Sequence, residues 1–161
     1  MASHKVCTAR GFTLVEVLVV IGILAIVAAC CTLGVGSFQG GGFRAERDVL
    51  LASLMHARAQ AQHAVCDAAS CTGALPHGVY VRTDASGRIM SAVLFEGSAY
   101  DPNDALNVET PLSGSAVLAG SNTVIFEPFS GDAMASGTLS LTSGSQSAAI
   151  TIGDEGQIIY Q

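Results

Sequence analysis

The pattern of apolar and polar positions divides the chain into three stretches. From Phe12 to Leu33 it reads FTLVEVLVVIGILAIVAACCTL, interrupted only by Thr13, Glu16, Gly22 and Thr32. No polar face recurs at the helical period. The block therefore predicts a helix that is apolar all round, as in a membrane span or a signal-peptide core. Residues 12–33 at about 1.5 Å each reach about 33 Å, enough for the hydrocarbon core of a bilayer. Next comes GVGSFQGGG, and residues 34–43 are expected to form a glycine-rich flexible segment or a weakened stretch of helix. Each glycine costs a helix about 1 kcal/mol relative to alanine.

Residues 44–161 predict a globular head. A helical period returns over 44–65, with Leu50, Leu51, Leu54, Met55, Ala61 and Val65 on one stripe and Arg44, Arg47, Arg58 and Gln62 off it. Residues 77–161 read as β-rich. Short runs at 78–82, 89–95, 123–126, 138–141, 148–152 and 157–160 are bounded by Gly, Ser, Asp, Asn and Pro. Residues 97–122 read as a long, partly irregular insertion. The expected class is α+β: a long N-terminal transmembrane helix, packed by its C-terminal half on an antiparallel β-sheet head.

Composition and charge narrow the function. Half of the 161 residues are apolar and 12% are charged, about half the share usual for a soluble domain. Seven basic residues face thirteen acidic ones, for a net charge of −6. After Arg88 there is no Lys or Arg, which argues against a nucleic-acid binder because phosphate contacts need a basic face. No phosphate loop, nucleophile elbow or HExxH is present, so no enzyme and no cofactor is expected. Asp101 and Asp104 in a polar loop would at most hold a hard cation loosely; a solvated loop is the simpler reading.

The block is preceded by MASHKVCTARG, whose Lys5 and Arg10 favour a cytoplasmic N-terminus. Arg44 and Arg47 at the other end weaken that asymmetry. Val27-Ala28-Ala29-Cys30 also reads as a lipoprotein cleavage box, with Cys30 lipidated. That alternative must place Glu16 inside the apolar core, where an ionisable group costs about 2.5–3.5 kcal/mol by insertion scales.

Gly11-Phe12-Thr13-Leu14-Val15-Glu16, between a short basic leader and an apolar helix, resembles the prepilin signature of type IV pilins and type II secretion pseudopilins. The helix around Leu50-Leu51-Ala52-Ser53-Leu54-Met55-His56-Ala57-Arg58-Ala59 is similar to the "L..L..AR..A" helix of H-type minor pseudopilins (the GspH/FimT family). Phe126-Glu127-Pro128-Phe129-Ser130-Gly131 and the later Ile150, Ile152, Gly156 and Ile158 are similar to its head. The resemblance implies that residues 1–11 are a leader, that a prepilin peptidase cuts between Gly11 and Phe12, and that the new Phe12 amine is methylated. It implies that Glu16 pairs with the amine of a neighbouring subunit. The other partners it implies are pilin-type subunits and an inner-membrane assembly platform, with the head in the periplasm or outside the cell. Glu16 lies four residues after Phe12, on one helix face, and a helix N-terminus favours a carboxylate. A DNA-capturing minor pilin is a second possibility within the same family.

Cys66 and Cys71 stand at the turn from helix to strand, and an extracytoplasmic head permits a disulfide between them. Free thiols are an alternative. So is a zinc set of His63, Cys66, Cys71 and His77, whose spacing matches no standard finger.

Overall fold

The computed structural model describes residues 14–66 and 73–161, with the side chains of 29–40 outside the description. Helix α1 spans Leu14–Gln62. Its backbone is helical through the glycine-rich segment, where the glycine content predicts a flexible segment or a weakened stretch of helix. The chain forms two compact units divided between Phe38 and Gln39.

In the first unit, the apolar side chains of α1 face outward. Leu14 is 77% exposed, and Val17, the most covered of the large apolar side chains from Leu14 to Val27, is still 46% exposed. Among the described residues no helix is long and apolar enough to cross a membrane. The predicted span 12–33 runs beyond the described side chains at both ends.

In the second unit, α1 is amphipathic. Phe43, Leu50, Leu51, Leu54, Ala57 and Ala61 are buried at helical spacing. Met55, assigned to the stripe from sequence, is 54% exposed, because it lies a residue beyond Leu54 and rotates off the buried arc. The helix ends at Gln62 rather than at 65. Val65 N–H donates to Gln60 O and Ala64 N–H to Ala61 O, both at 3.0 Å. With Ala64 at φ 49°, this closes the last turn as a Schellman motif.

Eight strands follow: β1 (His77–Thr83), β2 (Ile89–Glu96), β3 (Val108–Pro111), β4 (Val117–Gly120), β5 (Thr123–Phe126), β6 (Gly137–Ser143), β7 (Gln146–Ile152) and β8 (Ile158–Tyr160). They form two antiparallel sheets of four strands, ordered β3-β2-β1-β5 and β4-β6-β7-β8. β3 and β4 fall in the segment expected to be irregular. VETP and VLAG are short, and carry Pro or Gly; their strand state comes from pairing with β2 and β6 at sheet edges, where Pro is tolerated. One core joins the helix to both sheets through Val79, Val81, Ile89, Phe126, Leu139, Leu141 and Ile150, among others. The class is α+β, with a pilin-like fold.

Part of the predicted insertion covers the other face of the first sheet. Tyr100 stacks on Tyr80 with ring centroids 4.2 Å apart and meets Phe95 edge-on at 5.6 Å. Phe95 sits opposite Gly78, and a Cβ at Gly78 would strike the Phe95 ring. Glycine is needed there for space, since a strand is otherwise weakened by it.

Candidate assembly site

The predicted processing residues Gly11 and Phe12 lie outside the described residues. Glu16 is in the first turn of α1 and is exposed, amid the apolar side chains of the first unit. That surface is the candidate assembly site. It has the wrong chemistry for water, and burying it against similar helices would yield roughly 25 cal/mol per Å² of apolar area.

Within the second unit, polar anchors hold the helix to its sheets. Glu46, three residues after Phe43 and four before Leu50, shares their buried face and is only 2% exposed. Its Oε1 accepts from Ser113 Oγ at 2.5 Å and Ser115 N at 2.9 Å. Its Oε2 accepts from Ser115 Oγ and Ala116 N, both at 2.8 Å. Burial by itself pushes this carboxyl's pKa up. The four hydrogen bonds outweigh that and hold it below the ordinary glutamate range. Sequence patterning does not reveal the Glu46 clasp. The helical register marks the position as inward-facing, but the donors lie far along the chain.

At the other end of the head helix, the resembling motifs meet. Arg58 donates from Nε to Gly131 O at 3.2 Å and from Nη2 to Glu155 O at 2.9 Å. Gln62 Nε2 donates to Ser130 O at 3.3 Å, and Phe129 N–H to Ala61 O at 2.9 Å. Gly131 and Gly156 have φ of 70° and 69°, and a Cβ on Gly156 would collide with Gly131 O. The Arg of the helix, the loop 127–131 and the glycine before β8 thus form one joint.

Cys66 is disulfide-bonded, so it cannot supply a thiolate to zinc; Cys71 lies outside the described residues. His63 is exposed, while His77 is buried with Nδ1 3.1 Å from Leu75 O. Among the described residues no group of three His, Cys, Asp or Glu is placed to hold a metal ion. Asp101 Oδ1 accepts from Asn103 N at 2.9 Å and Asp104 Oδ1 from Leu106 N at 2.9 Å, as turn-forming carboxylates do.

The model of the prokaryotic N-terminal methylation motif matches residues 8–29, and that of the type II transport protein GspH matches residues 46–156. The chain belongs to the GspH family. No curated protein and no solved structure is significantly similar to it. The first match brackets Gly11, Phe12 and Glu16. The second contains the Glu46 clasp and the Arg58 joint. The chain is a type II secretion pseudopilin or a pilin-like subunit, of a structural family.

Proposed function

We propose that this GspH-family chain is a minor pseudopilin. A prepilin peptidase cuts it between Gly11 and Phe12 and methylates the Phe12 amine. The subunit is held in the inner membrane by its apolar helix, with the head in the periplasm, and enters a type II secretion pseudopilus through an assembly platform. The observation that carries this reading is the exposed apolar surface of α1 in the first unit. Bilayer and fibre each bury that surface in turn, so the helix serves as anchor and then as adhesive shaft. Glu16, carried into a low-dielectric fibre core, requires a counter-charge; the methylated amine of the next subunit supplies it and sets the axial register. Cys66 pairs with Cys71 to tie the end of the helix to the first strand.

A DNA-binding role draws little support. Arg47 is bound to Asp48 at 2.7 Å, Arg82 to Glu109 at 3.1 Å, and Arg58 is engaged with backbone carbonyls. The deciding experiment is intact-mass and N-terminal analysis of the membrane-bound protein. A chain beginning at N-methylated Phe12 is expected. A diacylglyceryl Cys30, or a retained leader, would overturn the proposal.

A further inference from the structure

The head helix and the first sheet do not close on each other everywhere. A cavity of about 70 Å³ lies between them. His56 and Gln60, one turn apart on α1, form one wall. The other wall is the helix-facing side of the sheet. His77 of β1 stands opposite Glu96 of β2, and Leu94 of β2 opposite Val108 of β3. Leu94 and Glu96 are two residues apart, so all four side chains leave the same face, and all four line the cavity. It opens at the β3 edge, where Val108 is 61% and Leu106 37% exposed.

The deepest polar group in this wall is His77, which is 3% exposed. Its Nδ1 lies 3.1 Å from Leu75 O. A carbonyl oxygen can only accept, so Nδ1 holds the ring proton and Nε2 of the neutral imidazole is an acceptor. Among the described residues Nε2 has no hydrogen-bond partner. The sealed, unpartnered side-chain atoms among those residues are Asn107 Oδ1 and Gln146 Oε1. Nε2 is not one of them, so it keeps access to the cavity. A buried acceptor in this position is satisfied only by a molecule that brings it a donor.

We propose that the cavity is a binding site for a primary alkylammonium group. Its N–H bonds donate to His77 Nε2 and to the Glu96 carboxylate, and its methylene stem lies along Leu94, Leu106 and Val108. The surroundings select this chemistry. An alcohol brings a donor but leaves the Glu96 charge unmet, a quaternary ammonium brings charge without an N–H, and an anion meets Glu96 with like charge. The volume is roughly half that of a cavity that holds benzene, so the head group and part of a short stem enter while the remainder passes out at the β3 edge. Lys5 is the single lysine of the chain and lies within residues 1–11, which the proposed cut removes. The ammonium therefore belongs to another molecule, either a free amine or a lysine side chain of a different protein. The site uses head residues alone and stands whether or not the chain joins a fibre.

The test is titration of the detergent-solubilised full chain with n-butylammonium, followed by the ring-nitrogen NMR signals of its histidines. The His77 Nε2 signal, assigned by its loss in His77→Asn, should move upfield while that of exposed His63 stays. The dissociation constant should be about 1 mM, in keeping with so small a ligand. Glu96→Gln removes the charge at constant shape. His77→Asn retains an N–H for Leu75 O but lacks Nε2. By calorimetry, each should weaken binding about tenfold or more, with the urea midpoint of Glu96→Gln near that of wild type. n-Butyltrimethylammonium and 1-butanol should each bind at least about tenfold more weakly than n-butylammonium. Nα-acetyl-lysine amide separates the sources: binding as tight as that of n-butylammonium assigns the ammonium to a protein side chain, and weaker binding assigns it to a free amine. An unmoved His77 signal, equal binding of 1-butanol or of the trimethyl compound, or undiminished binding to Glu96→Gln overturns the proposal.

Discussion

The Glu46 carboxylate accepts from both the N–H and the hydroxyl of Ser115, at 2.9 and 2.8 Å. One residue of the helix thereby fixes the loop that leads into β4, and Ser113 and Ala116 complete the clasp. Glu46→Ala would leave those buried donors without an acceptor and open a void. The expected loss is about 3 kcal/mol, read by urea unfolding of the detergent-solubilised chain. Glu46→Gln keeps the shape and an acceptor oxygen, and should lose less.

The same carboxylate gives the head a defined acid sensitivity. Its folded pKa lies below the ordinary glutamate value of 4.5, so the folded state favours the ionised form. That stabilisation is complete above the unfolded value and is lost as pH falls through the folded one. Thermal unfolding between neutral pH and about pH 3 should show wild type losing stability more steeply than Glu46→Gln on the acid side. Parallel profiles would contradict this assignment.

Gly156→Ala is expected to disrupt the joint between the helix and the two loops. The new methyl would meet the Gly131 carbonyl and come within 3.0 Å of Arg58 Nε, at a backbone φ unfavourable for alanine. A cost of about 3 kcal/mol follows from strain and overpacking together. Faster proteolysis at loop 127–133 would report it.

Gly78→Ala tests the aromatic cluster on the outer face of the first sheet. A Cβ there lies 2.7 Å from Phe95 Cε1 and from the backbone oxygen of Val124. Either the Phe95 ring or strand β5 must move, for about 2 kcal/mol. The tyrosine near-UV signal should change, because Tyr80 and Tyr100 stack beside Phe95.

Glu16→Ala separates processing from assembly. The basic N-terminal stretch and Gly11 remain, so the proposed cleavage and methylation should proceed. The neighbouring amine would lose its counter-charge, and incorporation into sheared fibres should fall about tenfold or more. Wild-type incorporation would refute the register role.

Periodicity exposes the head helix, because Leu50, Leu54, Ala57 and Ala61 repeat with the turn of the helix. It also exposes β1, β2 and β5 to β8, whose β-branched runs stand between turn residues. It misses β3 and β4, whose few residues become strands only by pairing with β2 and β6. It places Met55 in the core because a stripe drawn on a sequence cannot say how wide the buried arc is. Glu46 can be placed on the buried face, but its partners follow only when the chain folds back.

The amino-acid sequence by itself determined the local matters: a predominantly apolar helix behind a short basic stretch, a carboxylate near its start, and alternating stretches competent to form strands. These depend on neighbours within a few residues, so they survive without a fold. Tertiary structure decided which carboxylate is clasped, which glycine has no room for a methyl, and which histidine is buried. Those properties belong to pairs such as Glu46 with Ser115 or Gly156 with Gly131, which only chain packing brings within bonding distance.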